Sequence, residues 1–189
     1  MLLIAVLLSW LLPSPISPAP QADVQSRMQF YNRALGVACT HCHVDNDWKD
    51  ASKPAHATAA NMIKMVDAIN GKLAIKDRVS CWTCHGGSTR PARQPRPPLD
   101  EQLAKWPVSL ADAPESLKLG MAVNNVALGV GCDHCHDPSN WKDMSKRPMK
   151  LVGTMNELFE IFPKFMPASA RTQCFMCHKG SLKPVAKPS

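Results

Sequence analysis

Apolar residues recur with the period of an α-helix in two separate parts of the chain. The first stripe has spacings of four, three, four and three residues and consists of Ala55, Ala59, Met62, Val66 and Ile69. The second has spacings of four, three and four residues and consists of Leu151, Met155, Leu158 and Phe162. Such spacing places apolar side chains on one face of a helix. No run alternates as a strand would for more than a few residues, so the pattern predicts a mostly α protein with little or no sheet.

Residues that favour helix ends lie beside these stripes. Ser52 suits the N-cap of the first striped helix, and Pro54 suits its first turn. Pro163 is predicted to stop the second one. A further helix is predicted over about residues 22–35, because Gly36 suits the left-handed position that follows a helix.

All eight cysteines belong to four copies of a five-residue motif, C-x-x-C-H. The copies are Cys39, Cys42 and His43; Cys81, Cys84 and His85; Cys132, Cys135 and His136; and Cys174, Cys177 and His178. This is the attachment signature of c-type haem, in which two thiols bind the porphyrin and the histidine binds the iron. Two C-x-x-C pairs could instead hold a zinc ion, but zinc leaves the histidine after every pair unexplained. The motifs predict four covalently bound haem c groups.

A shift of 93 residues relates the first half of the chain to the second. It carries Cys39 to Cys132 and Cys81 to Cys174, and it pairs Trp48 with Trp141. About a third of the positions from 28 to 88 are identical to their partners. We therefore expect a multihaem c-type cytochrome of two repeated two-haem units with pseudo-twofold symmetry, in which a helix followed by a C-x-x-C-H loop occurs twice per unit.

The remaining segments differ from the two units in composition. Residues 1–22 begin with an apolar run and are predicted to be a signal peptide or a short membrane anchor. The two-haem units are assigned to residues 23–89 and 107–181. Residues 90–106 form a Pro/Arg-rich linker, and residues 182–189 form a tail. Because covalent haem attachment in bacteria is completed outside the cytoplasm, we expect an exported, periplasmic protein, with association with the inner membrane as a further expectation.

The formal net charge of the chain is +7. Four haems would bring eight propionates, so the excess of basic residues is interpreted as compensation, and no nucleic-acid partner is expected. Basic side chains also lie in the linker and near the C-terminus, where they could contact an acidic redox partner or a membrane surface. They are Arg90, Arg93, Arg96, Lys179, Lys183 and Lys187.

Methionines are the candidates for the second axial ligand of each iron. Of the ten methionines, two pairs obey the 93-residue shift: Met28 with Met121, and Met62 with Met155. All four lie on predicted helices that lead into C-x-x-C-H loops. A methionine on an apolar stripe is more commonly part of the core, but four in register with four motifs favour ligation of the iron.

Other candidate ligands are interpreted more simply. His56 corresponds to Met149 and is expected to face solvent, with ligation of iron as a reserve hypothesis. Met65 corresponds to Leu158 and is predicted to be an apolar packing residue. His41 and the matching His134 are interpreted as loop residues near a haem edge.

The chain resembles the tetrahaem cytochrome c subunit of bacterial photosynthetic reaction centres. The resemblance implies a mostly helical fold with haems in a chain that feeds electrons to photo-oxidised pigment. It also implies a histidine ligand for the fourth haem from the segment before the second motif. Residues 63–80 contain no histidine, and Met155 is predicted in its place. The matching residues are Met28, Leu35-Gly36-Val37, Cys39-Thr40, Cys42-His43, Met62-Ile63, Ile69-Asn70, Val79, Cys81 to Gly86 and their counterparts one repeat later.

These features predict an electron-transfer protein and not an enzyme. The expected role is relay of electrons to the photo-oxidised special pair of a reaction centre. The expected partners are the reaction-centre core and a soluble cytochrome or other small electron carrier. A carrier in a respiratory or other periplasmic chain is the alternative, followed by a multihaem reductase or a filament subunit.

Overall fold

The computed structural model describes residues 23–93, 114–167, 170 and 172–185. The predicted leader, residues 94–106 of the predicted linker and the last four residues lie outside this part of the chain. Arg96 and Lys187 are among the residues not described, so the proposed basic contacts at these two positions stay predictions.

Helices dominate the described residues, which contain two isolated β-bridges and no strand. The mostly helical prediction is therefore confirmed. The α-helices are α1 (Val24–Leu35), α2 (Pro54–Asn70), α3 (Cys81–His85), α4 (Glu115–Leu128), α5 (Arg147–Phe159) and α6 (Phe175–His178). Short 3-10 turns cover Cys39–His41, Ile75–Asp77, Cys132–His134 and Phe162–Lys164.

Helix α1 has a defined cap at each end. The Asp23 carboxylate accepts a hydrogen bond from the Ser26 backbone N–H at 2.9 Å, which satisfies one of the free donors of the first turn. Gly36 follows the helix with φ +67°, a left-handed conformation, and its N–H donates to the carbonyl of Arg33. The helix end predicted at Gly36 is confirmed.

The start of α2 differs from the prediction. The residue before the helix is Lys53, and its side chain makes no capping hydrogen bond. The N–H of Ser52 instead donates to the Asp50 carboxylate at 2.6 Å, so Ser52 belongs to the turn before the helix and its assignment as N-cap is wrong. Pro54 opens the helix as predicted, because proline has no N–H that would need a cap.

The end of α5 also differs from the prediction. The helix ends at Phe159, four residues before Pro163. The hydrogen bonding there changes from the α-helical to the 3-10 pattern, since the N–H of Ile161 donates to the carbonyl of Leu158, three residues earlier, at 3.0 Å. Pro163 lies within the following 3-10 turn, where its missing N–H leaves no hydrogen bond unmade.

A small apolar cluster joins α2 to the α5 region. It consists of the buried residues Met65, Ile69, Leu158, Ile161 and Phe162. The packing role predicted for Met65 and Leu158 is confirmed, since both belong to this cluster. A hydrogen bond of 3.1 Å from the Asn61 amide to the Phe165 carbonyl connects the same two regions.

The two short helices formed by motif residues, α3 and α6, each pack against a longer helix. Helix α1 packs on α3, α4 packs on α6, and α3 packs on α6. The N–H of Gly87, just after α3, donates to the carbonyl of Ala34 in α1 at 2.9 Å, and the N–H of Gly180 donates to Ala127 in α4 at 2.8 Å. These contacts bring the second and fourth motifs together between the two longer helices.

Among the residues described, no helix has the length and apolar character needed to cross a bilayer.

Candidate haem-binding site

The backbone of each described motif is helical. In the first motif the N–H of His43 donates to the carbonyl of Cys39 at 3.1 Å, and in the third the N–H of His136 donates to Cys132 at 3.0 Å. A helical turn places residues at positions i, i+3 and i+4 on one side. The spacing of C-x-x-C-H therefore presents two sulfurs and one imidazole to the same neighbour, as covalent attachment of a haem requires.

Two asparagines hold the first thiol of the first and third motifs. The Asn32 side-chain amide donates to the Cys39 sulfur at 2.9 Å, and that of Asn125 donates to the Cys132 sulfur at 3.4 Å. Both asparagines lie on the helix that precedes the loop, α1 or α4. Sequence reasoning missed this role, although the two residues are identical and 93 positions apart, a signal that could have revealed them.

Two lysines, each directly before the following helix, donate hydrogen bonds to backbone carbonyls of the same loops. The Lys53 amine donates to the Thr40 carbonyl at 2.5 Å. The Lys146 amine donates to the carbonyls of Asp133 and His136, each at 2.8 Å. Because a positive donor makes a stronger hydrogen bond than a neutral one, these lysines hold the loops in a fixed position.

We expect Lys146→Met to loosen the third motif loop. The variant loses two charge-assisted hydrogen bonds to backbone carbonyls, and its free energy of unfolding should fall by about 1–3 kcal/mol. Lys150→Met is the matched control, because Lys150 is exposed in the first turn of α5, the helix that begins after Lys146, and its effect should stay within about 0.5 kcal/mol. Denaturant titration of both variants measures the difference, and equal values would contradict the role of Lys146.

Three of the four motif histidines have an oriented ring. The Nδ1 atoms of His85, His136 and His178 lie 2.8, 3.2 and 2.9 Å from backbone carbonyls of Ser88, Trp141 and Ser181. A hydrogen bond at Nδ1 fixes the tautomer and leaves Nε2 free to bind a metal. Burial lowers the pKa of His85, which also favours the neutral imidazole that ligation needs.

His43 has a different environment. Its Nδ1 atom is buried and has no hydrogen-bond partner. The ring centroids of His43 and His56 are 5.3 Å apart, and the two ring planes are inclined by 76°. The ring centroid of Trp48 lies 6.0 Å from that of His43. The expectation that His56 faces solvent is therefore wrong, since His56 is half-buried beside the first motif.

The predicted methionine ligands lie in two kinds of surroundings. Met28 is half-buried on α1, and Met121 lines a groove next to the third motif. Met62 and Met155 are both partly buried against the apolar cluster, a placement that an ordinary core methionine would also have. The identity of the axial ligands stays a prediction.

Two grooves lie directly beside motif residues. One adjoins the second motif, between α1 and α2, and is lined by residues that include Phe30, Tyr31, Ile63, Val66 and Cys81. The other adjoins the third motif, and residues lining it include Met121, Cys132, Cys135, His136, Trp141 and Met149. In the groove beside the third motif, apolar walls with two thiols, one imidazole and two thioethers fit a covalently held haem. His41, in the first motif, is exposed, and His134 is partly buried.

The second and fourth motifs meet at their second cysteines. The sulfurs of Cys84 and Cys177 lie 3.3 Å apart and are hydrogen-bonded. The pKa of Cys84 is raised far above that of a free thiol, mainly by this hydrogen bond and secondly by burial. With haem attached at both motifs, two thioether sulfurs would therefore be adjacent where α3 packs on α6.

Comparison with known proteins agrees with this chemistry. Residues 32–95 match the family model of the photosynthetic reaction centre cytochrome c subunit. Cytochrome c-554 of Chloroflexus aurantiacus is 31% identical over 74 residues, which cover 35% of this chain and 18% of that protein. Both matches are to c-type cytochromes, and each covers about a third of this chain. Over residues 32–95 the chain is similar to the photosynthetic reaction centre cytochrome c subunit, and the resemblance predicted from the motifs is confirmed for this region.

Proposed function

We propose that this protein is a periplasmic tetrahaem cytochrome that relays electrons to the photo-oxidised special pair of a photosynthetic reaction centre. Four C-x-x-C-H motifs use every cysteine of the chain, which supports four haem groups. The match of residues 32–95 to a reaction-centre cytochrome subunit supports the partner. When bound, haem supplies an iron that accepts and releases one electron.

The contact between Cys84 and Cys177 is the observation that most directly supports an electron relay. Its 3.3 Å sulfur-to-sulfur distance brings two attachment sites into contact although 93 residues separate them. Electron tunnelling weakens steeply with distance, so a relay needs neighbouring cofactors held at short range. A set of independent haem sites would not require such a contact.

The protein contributes fixed positions for the groups that hold iron. The carbonyls that face Nδ1 of His85, His136 and His178 orient three rings. Fixed ligands limit rearrangement when the charge on the iron changes, which favours electron transfer. We further propose that Met28, Met62, Met121 and Met155 complete the ligation, so that no iron is left open for a substrate.

Recurring contacts support a duplicated two-haem unit. The hydrogen bond from Asn32 to Cys39 recurs 93 residues later between Asn125 and Cys132. The left-handed glycine that ends α1, with φ +67°, has a counterpart after α4 with φ +66°. We propose that residues 23–89 and 107–181 are the two units, related by pseudo-twofold symmetry.

Flash spectroscopy tests the proposed function. The purified protein should contain four haems per chain by haemochrome absorbance and mass, and it is added to reaction-centre membranes depleted of their own cytochrome. An excitation flash should then oxidise one of its haems and re-reduce the special pair. A double variant, Cys81→Ala with Cys84→Ala, is the matched control and should contain three haems.

The outcomes separate the parts of this proposal. Four haems without flash-induced oxidation would reject the reaction-centre partner and leave an electron carrier of another chain. A haem that is high-spin and binds added nitrite would reject the relay and favour a reductase. Fewer than four haems in the unmodified chain would reject the tetrahaem assignment itself.

A further inference from the structure

Lys179 occupies a backbone conformation that lysine seldom adopts. It follows the fourth motif directly with φ +49°, and among the described residues only Asn46 is another non-glycine with positive φ. The corresponding position after the second motif is Gly86, with φ +54°. A left-handed conformation is unfavourable for residues that have a Cβ. The fourth motif therefore carries a lysine where glycine would fit better, which indicates that the side chain has a role.

The Lys179 side chain extends from its own motif to the other central motif. Its amine lies 2.9 Å from the position that a Cβ on Gly86 would occupy. A side chain at position 86 would therefore meet this amine, and glycine leaves room for it. The lysine after the fourth motif and the glycine after the second are complementary across the contact between α3 and α6.

The Lys179 amine is close to the histidines of both central motifs along the chain. Lys179 directly follows His178 of the fourth motif. Its amine approaches Gly86, which directly follows His85 of the second motif. One positive charge therefore lies beside both motifs.

We propose that Lys179 is a shared electrostatic residue that raises the reduction potentials of the two central haems, those attached at Cys81/Cys84 and at Cys174/Cys177. Oxidation adds one positive charge to a haem iron, and a lysine amine nearby makes that oxidised state less favourable. One cation placed between two sites would raise both potentials together. This inference rests on the proposed attachment of haem at these two motifs.

A redox titration of Lys179 variants tests the proposal. Four variants of the holoprotein are compared with the unmodified protein: Lys179→Gln, Lys179→Gly, Lys179→Arg and Lys64→Gln. Nuclear magnetic resonance resolves the methyl signals of each haem during the titration, so that each potential is assigned to its motif. In Lys179→Gln and Lys179→Gly, both central haems should shift to lower potential while the other two stay nearly constant.

The remaining variants separate charge from structure. Lys179→Arg should keep the potentials close to those of the unmodified protein, because the charge is retained. Lys64→Gln removes the same charge from the exposed side of α2 and should leave the central haems nearly unchanged. Since Lys179 is exposed, the shifts should become smaller as salt is added. Lys179→Gly should not lower the unfolding midpoint, because glycine removes the backbone strain at this position.

Several results would overturn the proposal. Unchanged central potentials in Lys179→Gln at low salt would do so, as would an equal shift in Lys64→Gln or Lys179→Arg. A shift confined to one central haem would reject the sharing of the charge. These potentials are measured without any partner protein. The redox titration therefore tests the role of Lys179 independently of the flash experiment, which tests the reaction-centre partner.

Discussion

Gly36→Ala and Gly129→Ala should each destabilise the fold strongly. Both glycines have left-handed backbones, with φ +67° and +66°, and alanine is unfavourable in that conformation. The added Cβ would also overlap a backbone carbonyl, that of Gly87 in one case and of Gly180 in the other. We expect the free energy of unfolding to fall by about 2–4 kcal/mol for each variant.

The clash has a structural consequence beyond the turn itself. Gly87 and Gly180 are the residues whose N–H groups donate to Ala34 in α1 and Ala127 in α4. If they move away from the added methyl group, the short motif helices lose a backbone anchor on the longer helices. We therefore expect the loss of stability to be accompanied by reduced haem attachment at the second or fourth motif.

Glycines within helices provide the control. Gly153 lies in α5, and a Cβ there would have no atom within 4 Å. Gly153→Ala should raise the free energy of unfolding by about 0.5–1 kcal/mol, because alanine loses less backbone entropy than glycine. Thermal unfolding of the holoprotein measures all three variants. Similar changes in Gly36→Ala and Gly153→Ala would contradict the close approach of the two glycine turns.

Local signals in the sequence predict the helices well where no competing interaction exists. The periodic stripe of α2 and the glycine after α1 are such signals, and the structure agrees with both. Ser52 was misassigned because the Asp50 carboxylate binds its N–H in a turn. Pro163 marks a real interruption, but the chain leaves the helical path earlier, at Phe159.

Contacts between distant residues explain what the sequence did not predict. The 93-residue shift relates Cys84 to Cys177 as equivalent positions, and equivalence alone does not imply that two residues touch. The contact between His43 and His56 depends on how α2 leaves the first loop, which no local pattern specifies. Axial ligation by methionine stays a prediction for the same reason, since it depends on tertiary placement.

Met155→Leu should open the iron of the fourth haem to added ligands. Met155 keeps the register of Met62 in the other half of the chain, and both are partly buried against the same apolar cluster. Leucine has a similar volume but no sulfur, so the packing cost should stay below about 1.5 kcal/mol. If Met155 binds the iron, the oxidised spectrum should lose one of four sulfur-to-iron charge-transfer contributions. One reduced haem of the variant should then bind carbon monoxide.

Met65→Leu separates ligation from packing in this experiment. Met65 belongs to the same cluster and is buried, and its counterpart 93 residues later is already a leucine, Leu158. The substitution should leave both the charge-transfer absorption and carbon monoxide binding unchanged. Identical spectra for Met155→Leu and the unmodified protein, or a bis-histidine signal from the fourth haem, would show that Met155 is a core residue. His56 would then be the first alternative ligand to test, although in this structure it lies against His43 of the first motif.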